Sequence, residues 1–190
     1  MSKPTGTQSI SHNAHILEDL FFAKQDAQLI KEAKTQRSRA EQKEHLCKAL
    51  FLSEETADEL LDQGIDCHTL DALTVIPLLA VAWSKHSMDQ REKEEILRAA
   101  HHEGLEEGSK AHALLEHWLL QEPETELFAT WKQVMRETAA HSSSEETAKK
   151  KSYYLDLSER VARTAGGFLG FGSISKEEQA ILNEIDACFI

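Results

Sequence analysis

Residues 79–97 read LAVAWSKHSMDQREKEEIL, and residues 161–182 read VARTAGGFLGFGSISKEEQAIL. In both stretches an apolar helical segment leads into a short polar or glycine-rich loop. One apolar residue, a helix-capping residue, acidic residues and an Ile-Leu pair follow in the same order. The repeated pattern predicts two helix–loop–helix hairpins, each with a capped second helix, that pack face to face around one core.

The composition of the whole chain also favours helices. Its 190 residues include eight Gly and three Pro, fewer than the turns of a sheet-rich fold require. The segment from His12 to about Leu50 contains neither and is rich in strong helix formers. We therefore predict an all-α fold of two packed hairpins preceded by a long N-terminal helix. The predicted parts are a disordered tail at 1–11, a helical arm at 12–52 and a helical domain at 53–190.

The arm carries an apolar stripe that changes character along its length. Apolar residues recur in alternating steps of four and three as far as Ile30, but the same steps then fall on polar residues between Lys34 and Glu44. This change predicts a helix-in-groove contact with another protein or with a second copy of the chain, in which the polar segment sets the register. The predicted partner-binding residues are Ile16, Leu20, Phe21, Ala27 and Ile30.

Charge excludes several classes of partner. The formal net charge is −12 and the isoelectric point is about 5.3, which argues against a nucleic-acid-binding protein and against docking on anionic lipid.

The N-terminal residues lack the apolar core of a signal peptide. Three cysteines, an odd number without a CxxC pair, indicate reduced thiols rather than a disulfide framework. We therefore expect a cytoplasmic protein.

The sequence offers no arrangement typical of catalysis. It has no GxSxG motif, and Cys67 and His68 are adjacent, so their side chains point about 100° apart on a helix. The glycine run at 166–172 lacks the Lys-Ser/Thr of a phosphate-binding loop. We expect the protein not to be an enzyme.

The repeated hairpins resemble the TerB-like (tellurite-resistance) superfamily of helical domains over about residues 57–190. That family has an Ala-rich helix, an Ala-Asp-Gly loop and an "apolar-x-x-x-Glu" helix start, all repeated twice. Met88, Asp89 and Glu92 follow this pattern, while Ser84 stands where the loop aspartate is expected, and the GGFLGFG-SISKEE run at 166–178 matches more fully. The resemblance implies a stress-related scaffold or protein-interaction domain.

The same resemblance implies a second function, since some members hold a divalent metal ion with acidic loop residues. A hard cation needs six to eight oxygen ligands, including several carboxylates. The candidate ligands here are Asp89, Glu92, Glu177 and Glu178. The first alternative is therefore a regulatory domain that binds a divalent cation, although acidic residues in the first turn of a helix are also expected for the helix dipole.

The arm is similar to another family, the small helical inhibitor (zeta) subunit of bacterial ATP synthase. The similarity lies in three stretches: Phe22-Ala23-Lys24, Lys31-Glu32-Ala33-Lys34 and Leu50-Phe51-Leu52-Ser53-Glu54. At the third stretch the family has a "Leu-Gly-Leu-Ser-x-Glu" turn, and Phe51 replaces its glycine. The resemblance implies that the arm inserts into a catalytic interface. The second alternative is therefore an inhibitor of ATP synthase or of another ATPase.

Overall fold

A computed structural model describes residues 6–165 and 174–189, with the side chains of all of these except 6–23, 26, 27 and 165. Within these ranges the chain is helical and contains no β-strand, so the all-α prediction is confirmed. Two short 3₁₀ turns occur at Leu70–Thr74 and Trp83–Lys85. The α-helices are α1 (Gly6–Leu50), α2 (Glu54–Asp62), α3 (Ile76–Ala82), α4 (Gln90–His102), α5 (Lys110–Leu120), α6 (Thr125–Ala140), α7 (Ser144–Ala165) and α8 (Lys176–Ala187).

The chain divides into two units, Met1–Glu41 and Gln42–Ile190. The first described helix, α1, begins at Gly6, six residues before the predicted start of the arm at His12. Residues 6–11 of the predicted disordered tail are therefore helical, and residues 1–5 lie outside the described ones. The last turns of α1 belong to the second unit, since Leu46 is completely buried in its core. The predicted arm at 12–52 therefore contributes its final residues to the helical domain.

The core of the second unit surrounds α3. Five of the seven α3 residues are buried aliphatic or alanine side chains, and α3 packs against α4, α6, α7 and α8. The pairs α3–α4 and α7–α8 are the two hairpins that the repeated sequence predicts, and α4 and α7 also pack together. Pro77 lies in the first turn of α3, where its missing N–H removes no helical hydrogen bond. Pro77 therefore marks the start of a new helix after the 3₁₀ turn at Leu70–Thr74.

The junction between α1 and α2 contains a bulky residue in a conformation that favours glycine. Phe51 has φ +57°, and the Leu52 N–H donates to the Cys47 carbonyl oxygen at 3.2 Å, which is the hydrogen bond of a Schellman helix end. The Phe51 ring is 58% exposed and stacks on His141 with a centroid distance of 5.1 Å. Phe51 therefore ends α1 at a cost in backbone strain.

Substitution at position 51 tests this strain. We expect Phe51→Gly to be more stable than Phe51→Ala by about 1 kcal/mol in chemical denaturation, because only glycine adopts a positive φ without steric conflict. Ala49→Gly, two residues earlier in the last turn of α1, is the control and should lose up to about 1 kcal/mol relative to the wild type. Equal stability of the two position-51 variants would contradict the assigned conformation.

Candidate functional site

The described side chains of α1 between Gln28 and Ser38 are all exposed. They are joined by hydrogen bonds along the helix: Gln28 Nε2 donates to Glu32 at 2.8 Å, and Arg37 Nε donates to Glu41 at 3.0 Å. Such pairs stabilise a helix by only a few tenths of a kcal/mol each. The segment is helical although none of its side chains between Gln28 and Ser38 is buried.

The predicted partner-binding residues all fall on α1. Ile30 is 57% exposed, while the side chains of Ile16, Leu20, Phe21 and Ala27 lie outside the described ones. Leu29 is a further exposed aliphatic residue, at 59%. It is not among the predicted residues because it lies one position before Ile30, outside the alternating steps of four and three. Ile30, Lys34 and Arg37 follow the i, i+4, i+7 spacing and so share one face of the helix.

The predicted metal ligands cap two helices. Asp89 accepts from the Glu92 N–H at 2.9 Å, and Glu92 accepts from the Asp89 N–H at 2.7 Å, so both halves of a capping box are present at α4. Ser175 and Glu178 form the same box at α8, with distances of 3.2 and 2.6 Å. Glu177 is exposed. The two boxes give a structural reason for the repeated acidic residues.

The two capping glutamates are buried beside a single lysine. Glu92 is 4% and Glu178 1% exposed, and Lys85 Nζ donates to Glu178 Oε1 at 2.7 Å. Burial raises the pKa of Glu92 above its ordinary value. Burial alone would also raise the pKa of Glu178, but hydrogen bonds from Lys85 and Ser175 lower it. The lysine therefore links the α3–α4 loop to the start of α8 and keeps Glu178 ionised.

These contacts bear on the predicted cation site. Lys85 already supplies positive charge to Glu178, and the Asp89 and Glu92 carboxylates accept backbone N–H groups. The described part of the chain contains no group of three or more His, Cys, Asp or Glu residues positioned to share a metal ion. Of the four candidate ligands, Asp89, Glu92 and Glu178 thus serve in helix caps, and Glu178 is also one member of an ion pair, whereas Glu177 is exposed.

An acidic groove of about 930 Å³ lies between α2, the end of α5 and α6. Seven carboxylate residues line it, including Glu55, Glu59 and Glu126, and the residues that line it include neither lysine nor arginine. Its apolar lining includes the largely buried Trp118 and Leu127. We call it the acidic groove below. In the sequence, the groove corresponds to two acidic stretches, at 54–62 and 122–126. Each stretch by itself indicates only a helix start or a loop.

Hydrogen bonds fix several side chains in the groove. Thr130 Oγ1 donates to Glu59 Oε2 at 3.1 Å, so this hydroxyl can only accept from Gln63 Nε2, at 2.9 Å. That network leaves Gln63 Oε1 buried without a hydrogen-bond partner among the described residues. Burial alone would raise the pKa of Glu137, but hydrogen bonds from Gln133, Ser53 and Thr56 lower it. These hydrogen bonds keep Glu137 ionised and hold its carboxylate in place at the groove.

The comparisons with known proteins give no relative. No family model matches the chain, and neither a curated protein nor a solved structure is significantly similar to it. No helix among the described residues is both long and apolar enough to cross a bilayer. The functional argument therefore starts from the exposed helix and the acidic groove.

Removal of the lysine tests the link between the hairpins. We expect Lys85→Met to lower the free energy of unfolding by about 2 kcal/mol at pH 7, because it leaves the Glu178 carboxylate buried without its cation. In the wild type, the low pKa of Glu178 contributes stability above the ordinary pKa of a glutamate, and that stability is lost as the pH falls through the native value. The deficit of the variant should therefore shrink in acid, where Glu178 is protonated.

Two further variants complete this test. Adding Glu178→Gln to Lys85→Met should recover part of the loss at pH 7, since a neutral side chain needs no cation. Lys110→Met, a change at an exposed lysine in the first turn of α5, should stay within about 0.5 kcal/mol of the wild type. A Lys85→Met deficit that is the same at pH 4 and pH 7 would contradict the assigned ion pair.

Proposed function

We propose that the chain is a non-enzymatic protein–protein interaction module, a scaffold that presents α1 to another polypeptide. The observation that carries the proposal is the exposure of Leu29 and Ile30, at 59% and 57%, within a helix whose neighbouring side chains are exposed as well. Large aliphatic side chains on an exposed helix are the anchors of helix-in-groove recognition. Burying them against a partner removes apolar surface from water and stabilises the complex.

The anchoring of α1 at one end supports this role. Leu46 is buried in the core of the second unit, and Lys43 Nζ donates to Asp58 at 3.1 Å and to Glu54 at 3.2 Å. Because the last turns of the helix are fixed in this way, the exposed turns keep their helical form before a partner arrives. A preformed helix loses less conformational entropy on binding than a disordered segment.

The proposal also includes a TerB-like domain and a cytoplasmic location. The two hairpins with matching capping boxes support the TerB-like resemblance, and with it a stress-related scaffold. A cytoplasmic location is supported by the cysteines: Cys47, Cys67 and Cys188 are all free.

A photo-crosslinking experiment tests the exposed helix. A photo-reactive phenylalanine derivative is placed at position 30 of the full chain, and the same group at position 28 is the control. Gln28 is equally on α1 and exposed, but lies about 160° around the helix from Ile30. We expect a crosslinked product of defined mass at position 30, in native cell extract or between copies of the chain. Identical products at both positions would contradict recognition through this face.

A second candidate function is inhibition of an ATPase by the arm. Two observations favour it. Phe51, directly after the end of α1, has the left-handed backbone that the glycine of the inhibitor family would adopt. Ser53 Oγ caps α2 by accepting from the Thr56 N–H at 3.2 Å. The full chain is then expected to slow ATP hydrolysis by bacterial F1-ATPase as binding saturates. An unchanged rate at about tenfold molar excess of the chain would exclude this function.

A further inference from the structure

We propose that the acidic groove is the docking site for the Lys24–Arg39 segment of a second copy of the chain. This inference rests on the proposed function, since it names the receptor for the exposed part of α1. It is carried by three observations: the charge of the groove, the charge of the segment and the exposed aliphatic side chains within the segment.

The lining of the groove matches a row of cations. Its seven carboxylates do not gather into a set that could share one metal ion, so the negative charge is distributed along the groove. Lysine and arginine side chains carry hydrogen-bond donors only, and the groove offers carboxylate oxygens to them. A polybasic helix therefore fits this lining better than a single ion does.

The chain itself supplies such a helix. The segment Lys24–Arg39 contains five basic and two acidic residues, a net charge of +3, in a chain whose net charge is −12. Its dimensions also agree: α2, one wall of the groove, has nine residues and is about 13 Å long, and the stretch from Ile30 to Arg37 spans about 11 Å. Ile30, Lys34 and Arg37 share one helix face, so an aliphatic anchor and two cations reach the groove together.

The apolar part of the groove receives the aliphatic anchor. Trp118, Leu127 and Pro123 contribute to the lining beside the carboxylates. Burial of Ile30 against them adds an apolar term to the charge pairing, which by itself would be weak at a solvated surface. Two copies that exchange the segment reciprocally form a closed two-fold dimer, because each provides one segment and one groove.

Charge reversal in the full chain tests the dimer by sedimentation velocity. The wild type is expected to dimerise reversibly, with a dissociation constant that rises about tenfold between about 50 and about 300 mM salt. The groove variant Glu55→Lys with Glu126→Lys should weaken the dimer at least about tenfold. The matched control is Glu145→Lys with Glu177→Lys, which changes the same charge at the second residue of α7 and α8 and should dimerise as the wild type does.

Complementation decides whether the two surfaces meet in trans. At a protein concentration where the wild type dimerises and the groove variant does not, the segment variant Lys34→Glu with Arg37→Glu should also be monomeric. Their mixture should form a heterodimer, since one interface keeps the native charges and the other has both signs reversed. A wild type that stays monomeric at low salt, or a mixture that stays monomeric, would overturn the inference. A crosslink from position 30 to a different protein would in that case leave the proposed function standing, so the two failures are distinguishable.

Discussion

The ion pair between Lys85 and Glu178 joins the two halves of the helical domain. It connects the loop after α3 to the first turn of α8, and Glu178 is almost completely buried when it forms. A buried carboxylate is unfavourable without a cation and further hydrogen bonds, and here it receives both, from Lys85 and from the Ser175 N–H. The arrangement requires α8 to pack against the loop after α3, where Lys85 lies, and α3 then packs against α4, α6, α7 and α8 in the apolar core.

Two groups of acidic residues have different roles in this structure. Glu92 and Glu178 are buried and complete the caps of α4 and α8. The carboxylates around α2 and α6 line an open groove, where Glu137 is held ionised by hydrogen bonds from its neighbours. The first group stabilises the fold, whereas the second creates a surface of negative charge.

Much of the fold could be predicted from the sequence, because helix caps and periodicity act locally. The Asp89-x-x-Glu92 and Ser175-x-x-Glu178 spacings fix both capping boxes, and the apolar run around Pro77 marks α3. Lys85 could not be predicted, because its partner lies 93 residues away and only the packed hairpins bring the two together. The groove was missed for the same reason: Glu55 and Glu126 lie on different helices, and each alone is an ordinary residue of a first turn.

The proposed burial of the exposed turns of α1 in the acidic groove of a second chain can be measured by hydrogen-exchange mass spectrometry of the full chain, at low and high protein concentration. We expect exchange of residues 24–39 and of α2 to slow together as concentration rises, and to recover at high salt, while α7 stays unchanged. Equal exchange of residues 24–39 at every concentration would contradict the claim.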